Sequence, residues 1–424
     1  MAQTKPAKFN SLCVVGLGYI GLPTAVTFAS RQLKVTGVDV RQSVVDTINE
    51  GKVHFHEPDL DMLLHAVVSE GWLKASLTPA PADAFIIAVP TPFTSNKDPD
   101  LSDIEAACRA IAPVVKKGDL VILESTSPVG ATERVCEMIA AARPDLRLPH
   151  VETENPDVLV AHCPERVLPG QIMRELIEND RIVGGMTPKC ARAGADLFRI
   201  FTMGECIETT ARTAELCKLA ENSFRDVNIA FANEMSVICE KLGINVWELI
   251  PLVNRHPRVN MLQPGAGVGG HCIAVDPWFI VSSAPEESRI IRTAREVNDA
   301  KPEFVFAQIE KAMNSAKAAG TSAPKIACLG IAFKPDVDDL RESPALEITK
   351  RLEDLYPGAI LVVEPNLDEA PASLKIKKLT SLKSALDEAD VIVCLVAHSA
   401  FKGAIAGLPS GKFVVDPVGL SEKR

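Results

Sequence analysis

The chain has 424 residues, enough for about three domains at roughly 150 residues each. Forty-five basic side chains against fifty-five acidic ones give a net charge of −10, and 47% of residues are apolar. That balance excludes a surface built to track nucleic acid, which needs clustered Lys and Arg, and a disordered chain, which could not be this apolar.

The first ten residues are polar and read as no signal peptide. Short β-rich runs at 11–15, 35–40, 84–89, 120–124 and 181–184 then alternate with helix-compatible sequence. This is the rhythm of a doubly wound parallel sheet. From 212 to about 242 there is neither Gly nor Pro, which predicts one long helix capped by Gly243. Leu216, Leu219, Ala220, Val227, Phe231 and Ile238 form its expected apolar stripe. A second helix is expected over 286–318, followed by a linker at 318–324. Strand rhythm returns at 325–330, 360–364, 390–396 and 412–415. The expected fold is α/β, two Rossmann-like lobes around a helical middle, divided 1–210, 211–318 and 319–424. No apolar run approaches the ~20 residues that span a bilayer.

Eleven cysteines, an odd number with no C-x-x-C pair, fit neither a disulfide framework nor a zinc knuckle. Reduced thiols in the cytoplasm are expected, ten of them core residues. His54 and His56 offer no third ligand, so no metal is expected. The only tyrosines, Tyr19 and Tyr356, are followed four residues later by Pro23 and Ile360, which excludes a Tyr-x-x-x-Lys acid–base pair.

Gly16-Leu17-Gly18-Tyr19-Ile20-Gly21 follows a predicted strand and opens a predicted helix. The first Gly permits the tight turn, the second lets backbone approach a pyrophosphate, and the third allows close helix–strand packing. Asp39 ends the next strand, where its carboxylate can accept from ribose hydroxyls and repel a 2′-phosphate. NAD is therefore expected over NADP, although Arg41 could pair with a 2′-phosphate or stack on adenine. Two more loops follow strands of the same sheet, one with Pro90 and Thr91, the other running from Glu124 to Gly130 through Thr126. Both are expected to contact cofactor or substrate.

Lys218 and Asn222 stand at i and i+4 on one face of the long helix. Beyond them, Gly265, Gly267, Gly269 and Gly270 precede Cys272, so this thiol alone sits in a loop able to approach a ligand closely. His271 is adjacent but, as a consecutive residue, is no obvious base. A dinucleotide, a thiol, an ammonium and an amide suggest oxidation of an alcohol to an aldehyde and addition of the thiolate. A second oxidation then gives a thioester, which water hydrolyses to an acid. A one-step β-hydroxyacid dehydrogenase would use Lys218 and Asn222 but leave Cys272 idle. A non-catalytic dinucleotide sensor would need none of the three.

Six ordered motifs resemble the UDP-glucose/GDP-mannose dehydrogenase family across essentially the whole chain. They are the Gly16–Gly21 fingerprint, the Glu124–Gly130 run, Cys163-Pro164-Glu165-Arg166, the Glu215–Asn222 run, the Gly269–Pro277 run and the Gly330–Pro344 run. The resemblance implies two Rossmann-like domains joined by a long helix that supports a homodimer, and two NAD-dependent oxidations at C6 of a nucleotide sugar. It implies Cys272 as the nucleophile, with Lys218 and Asn222 stabilising the oxyanion and ordering a water. Asp276 matches a carboxylate near that Lys and water, Glu165 an acid in thioester hydrolysis, and Thr126 a hydroxyl holding the water. Lys334 matches a substrate-contacting Lys, and Arg341 an Arg that reaches the cofactor. Arg258 matches an Arg that reaches a substrate across the dimer; Arg166, Val167 and Gly269 are further substrate contacts. Pro169 replaces a second Glu of the UDP-glucose enzymes, and Val275 replaces a Lys before Asp276. Both departures resemble the UDP-N-acetylhexosamine branch, and residues 254–265 point to UDP-N-acetyl-D-mannosamine, ahead of UDP-N-acetylglucosamine, UDP-glucose or GDP-mannose.

Overall fold

The structure, a computed structural model, describes residues 9–421 apart from positions 56, 95, 169, 271, 406 and 410. Tertiary contacts divide the chain into two compact units. The first runs through Glu221 and adds Trp278–Ser283; the second is Asn222–Pro277 with Ala284 onward.

Eight strands form the sheet of the first unit: β1 Ser11–Val15, β2 Lys34–Val38, β3 Leu73–Ser76, β4 Ala84–Ile87, β5 Leu120–Leu123, β6 Leu159–His162, β7 Arg181–Gly185 and β8 Cys206–Thr210. Their order is β3-β2-β1-β4-β5-β6-β7-β8, and only the β6–β7 pairing is antiparallel. The chain direction across the sheet reverses between β1 and β4, which opens a ligand crevice at their carboxyl ends. Every residue of β4, β5 and β6 is buried, as strands covered by helices on both faces require. Phe28 of the first helix, Gly21–Ser30, meets Phe201 edge-on with ring centroids 4.7 Å apart. Each such buried ring contributes about 1.5–3 kcal/mol.

The second unit holds a parallel sheet in the order β10-β9-β11-β12. Its strands are β9 Ile326–Leu329, β10 Ile360–Val363, β11 Val391–Cys394 and β12 Phe413–Val415. Its opening repeats that of the first sheet. Gly330 has φ +88° and donates its N–H to Val363 O at 2.8 Å, as Gly16, with φ +96°, donates to Val38 O at 2.8 Å. Glu364 thus stands where Asp39 does, but it is one methylene longer. Its Oε2 accepts from the amides of Ile331 and Ala332 at 2.8 and 3.1 Å, whereas Asp39 Oδ2 accepts from Leu17 N at 3.4 Å. Ala332 occupies the position of Gly18, and the next helix, Pro344–Leu355, starts only after a long loop.

The long helix spans Ala211–Leu242, as expected, and Gly243 follows with φ +69°. Its amphipathicity corrects the sequence expectation. Leu216, Phe231 and Ile238 of the predicted apolar stripe are exposed, and Phe224 is 72% exposed. The buried side instead carries Glu215, Asn222, Ser223, Asp226 and Asn233. In the second unit Asp226 and Asn233 are matched by the helix Arg289–Ala318. Arg295 Nη1 donates to Asp226 Oδ1 at 2.6 Å, Asn298 Nδ2 to the same oxygen at 2.8 Å, and Asn233 Nδ2 to Asn298 Oδ1 at 2.8 Å. Removing one partner of such a buried ion pair costs about 3–5 kcal/mol, because the other is left charged and unmatched. Among the described residues no helix is long and apolar enough to cross a membrane.

Candidate active site

The first unit forms a dinucleotide cradle at the β1 turn. A Cβ on Gly16 would lie 2.4 Å from Ala88 O, and one on Gly21 would lie 1.8 Å from Gly16 O, so backbone packing demands glycine at both. A Cβ on Gly18 would meet nothing within 4 Å, so the fold itself does not require glycine there. Tyr19 stacks at 4.3 Å on Phe55, and Ile20 precedes the helix. Asp39 is buried and accepts from Arg41 N at 3.0 Å and Arg41 Nε at 3.3 Å. Arg41 is therefore engaged by the carboxylate expected to face the ribose, an arrangement that suits NAD. Val40 between them is 92% exposed, an apolar side chain beside the expected adenine position that sequence reasoning did not single out. On the neighbouring loop Pro90 is exposed, and Thr91 Oγ1 is buried with no partner among the described residues. Ser125 Oγ donates to Val89 O at 2.6 Å and ties the two loops together. These residues fit a bound dinucleotide.

At the same sheet edge lies a buried charge cluster. Glu124 follows β5, Glu165 follows β6, and Arg181 opens β7. Arg181 Nη1 is 3.7 Å from Glu124 Oε1, and Nη2 is 3.7 Å from Glu165 Oε2. Burial, then the charge of Glu165, pushes the Glu124 carboxyl up from the usual range, against the pull of Arg181 and Thr24. Arg166 donates its N–H to Glu165 Oε1, and its guanidinium pairs with Glu221 at 2.8 Å. Glu57 accepts from Gly170 N and Ile172 N at 2.8 and 2.7 Å, which fixes the far end of the loop through half-buried Val167. Pro169 lies outside the described residues. Thr126 is half-buried in the Glu124–Gly130 loop. Glu215 accepts from Gly130 N, Thr132 N and Thr132 Oγ1 at 2.6–2.7 Å, locking that loop to the long helix, on which half-buried Lys218 stands one turn later.

In the second unit Asn222 Nδ2 donates to Asp276 Oδ2 at 2.5 Å, both residues buried. Cys272 is half-buried and begins the turn that ends there: its carbonyl accepts from Val275 N at 3.0 Å and Asp276 N at 2.8 Å. Asp276 in turn begins the helix Asp276–Ser283. One turn therefore sets the thiol, the carboxylate and, through the carboxylate, the Asn222 amide. His271 lies outside the described residues. The glycines before Cys272 serve a purpose other than the expected one. A Cβ on Gly269 would lie 2.2 Å from Glu342 O, and one on Gly270, at φ +84°, 2.8 Å from Phe333. Gly270 N donates to Arg341 O at 3.2 Å. Their small size lets the thiol loop seat against the Phe333–Pro344 segment, which carries half-buried Lys334 and exposed Arg341. Arg341 donates to Asp339 through Nε and Nη2. Arg258 is exposed, its backbone N–H donating to His256 Nδ1 at 3.4 Å.

All eleven cysteines are thiols, nine buried; Cys217, expected in the core, is half-buried on the long helix. Among the described residues no group of three or more His, Cys, Asp or Glu is placed to hold a metal ion, and His56 lies outside them. Sequence reasoning missed Arg181 and the buried charge of Glu124. A charged residue opening a buried strand was the available signal for the first.

Comparison with known proteins adds three matched regions. Residues 10–202 match the NAD binding domain of the UDP-glucose/GDP-mannose dehydrogenase family, residues 212–300 its central domain and residues 327–422 its UDP binding domain. The chain is 62% identical over 398 residues to a UDP-N-acetyl-D-mannosamine dehydrogenase of Campylobacter jejuni, covering 93% of this chain and 97% of that one. It is 59% identical over 417 residues to an NDP-N-acetyl-D-galactosaminuronic acid dehydrogenase of Ralstonia nicotianae, covering 98% and 97%. A solved UDP-D-ManNAc dehydrogenase from Pyrococcus horikoshii superposes with a TM-score of 0.85 at 38% identity, covering 98% of this chain and 96% of that one.

Proposed function

The chain belongs to the UDP-glucose/GDP-mannose dehydrogenase family of NAD-dependent enzymes, and from that premise we propose that it oxidises C6 of a UDP-N-acetylhexosamine to the uronic acid. UDP-N-acetyl-D-mannosamine is the preferred substrate, and the product is a precursor of surface polysaccharide. The observation that carries this reading is the turn joining Cys272 to Asp276, with Asn222 bonded to the carboxylate. A single-step alcohol dehydrogenase would have no use for the thiol.

When bound in the Gly16–Gly21 cradle, NAD would supply the hydride acceptor for both oxidations. The Cys272 thiolate adds to the aldehyde carbon, and the resulting thiohemiacetal is oxidised to a thioester. Lys218 and Asn222 donate to the oxygen that gains charge as tetrahedral species form, the role for which fixed donors are most effective. Water then attacks the thioester with Glu165 as its base, assisted by Thr126 and Asp276. Arg166, Val167, Gly269 and Lys334 hold the sugar nucleotide, Arg341 reaches the cofactor, and Arg258 serves the partner's site.

A homodimer is supported by the exposed apolar residues Phe224, Phe231, Ile238 and Leu242 on the long helix. Their seven- and four-residue spacing is that of a helix seam. The division 1–210, 211–318 and 319–424 is supported by the family regions, each of which falls inside one span. The cytoplasm suits eleven thiols and no disulfide.

The Ralstonia relative favours a second reading, in which the sugar has the galacto configuration. A panel of UDP-N-acetylmannosamine, UDP-N-acetylglucosamine, UDP-N-acetylgalactosamine, UDP-glucose and GDP-mannose, scored by NADH yield, decides. Two NADH per sugar are expected with the first; one NADH would sink the thioester scheme. Cys272→Ala is expected to abolish acid formation while NAD still binds.

A further inference from the structure

We propose that Arg181 and Glu124 are positioning residues for thioester hydrolysis: Arg181 holds Glu165 oriented, and Glu124 stores the single proton that this buried cluster retains. The inference rests on the reading of Glu165 as the hydrolytic carboxylate.

Topology brings the three together. β7 pairs antiparallel with β6, with His162 opposite Gly184 and Ala161 opposite Gly185. Because it runs backwards, its first residue, not its last, reaches the carboxyl edge where ligands bind. Arg181 therefore arrives beside the residues that follow β5 and β6. It is 5% exposed, and its guanidinium lies over the Phe198 ring at 4.5 Å. Its Nη1 also donates to Cys163 Sγ at 3.9 Å and its Nη2 to Leu176 O at 3.5 Å.

One cation thus faces two carboxyls, all three buried. With both carboxyls ionised the cluster would carry a net negative charge out of water, so one proton stays. Glu124 is the deeper of the two, its carboxyl held by Thr24 Oγ1 at 3.3 Å. Glu165 Oε1 accepts the Arg166 N–H, and its Oε2 faces Arg181. Its Oε2 has no hydrogen-bond partner among the described residues, which leaves that oxygen to take a proton from water. As it does so, the water oxygen bonds to the thioester carbon. The C–S bond then breaks, and its electron pair returns to the Cys272 sulfur.

The other titratable groups around Glu165 and Arg181 are Cys163, Arg166, Glu175, Asp180 and Cys206. Three of them are engaged elsewhere: Arg166 by Glu221, Glu175 by Leu168 N, and Asp180 by Glu205 N. They do not replace Arg181 as the counter-charge.

The test uses the full-length enzyme with NAD and its sugar nucleotide, compared in wild type, Arg181→Met, Arg181→Lys, Glu124→Gln and Glu165→Gln. Arg181→Met is expected to slow hydrolysis at least tenfold, so that two NADH per site appear in a burst. The covalent adduct on Cys272 then accumulates, as seen by mass spectrometry. Arg181→Lys restores part of the hydrolysis rate and lowers the adduct again. In Glu124→Gln, the alkaline transition that wild type shows when Glu124 ionises disappears. This variant keeps the shape of the side chain and serves even if Arg181→Met does not fold. No adduct in Arg181→Met would overturn the role of Arg181, and an alkaline transition persisting in Glu124→Gln would overturn that of Glu124. If Glu165→Gln itself hydrolyses the thioester normally, the underlying reading fails and the inference falls with it. If Glu165→Gln accumulates adduct and Arg181→Met does not, only the inference fails.

Discussion

Asn222 and Asp276 lie 54 residues apart in sequence, yet their side chains meet at 2.5 Å. The contact ties the long helix to the first residue of the helix that follows the thiol turn, so the amide and the carboxylate are set by each other.

Asp276→Asn separates charge from hydrogen bonding, because the new amide oxygen can still accept from Asn222. If the negative charge acts on the reacting water or on Lys218, kcat should fall roughly 10²- to 10⁴-fold with the KM for NAD unchanged. Steady-state kinetics settle the matter, and turnover within twofold of wild type would reduce Asp276 to a structural peg.

Asp39→Ala removes the carboxylate that holds Arg41 and reads the ribose. Losing hydrogen bonds to a charged group costs about 1.5–3 kcal/mol, so the KM for NAD should rise roughly tenfold to a hundredfold. Arg41, released, should improve the use of NADP. Measuring both coenzymes tests the assignment, and an unchanged NAD to NADP ratio would refute it.

Lys301 lies on the second long helix, 3% exposed, donating to Ser236 Oγ at 2.5 Å over the Phe304 ring. Burial pushes its ammonium down from 10.5 to about 8. Between those values the folded chain binds fewer protons than the unfolded one, so stability rises with pH through the window; below about 8 the cost is full. Lys301→Met should therefore raise stability at pH 7, by up to about 3 kcal/mol at ~1.36 kcal/mol per pH unit. The gain should vanish near the ordinary lysine value. Urea unfolding at pH 7, 9 and 10.5 checks this, and a gain that stays constant with pH would contradict it.

Phe231→Glu places a charge in the exposed apolar seam of the long helix. Sedimentation velocity should show the dimer replaced by monomer. A dimer of undiminished stability would move the interface elsewhere.

Much of the fold was legible because buried parallel strands read as continuous apolar runs. The strands opening both lobes and the long helix fall within a few residues of their expected positions. β3, β6 and β8 were not foreseen: Leu73–Ser76 and Cys206–Thr210 are polar edge strands, and β6 is four residues ending in a histidine. The stripe of the long helix is only partly buried, because periodicity reveals that a face is apolar, not what covers it. Asp226, Asn233, Arg295 and Asn298 replace apolar packing with hydrogen bonds, which no hydrophobic pattern records. The site motifs were legible as residues but not as a geometry. The glycines before Cys272 announced a close approach without saying that Phe333 and Glu342 were what they approached.

Glu364 has a consequence for how one fold comes to serve two ligands. The second lobe keeps the turn glycine and the strand-end acid of a dinucleotide cradle, but its longer acid reaches into the turn and takes the Ile331 and Ala332 amides itself. An internal anion occupies the donors that a pyrophosphate would use. The second lobe thus keeps the turn while its own carboxylate holds two of the turn amides. Its long loop is left to evolve toward a different guest.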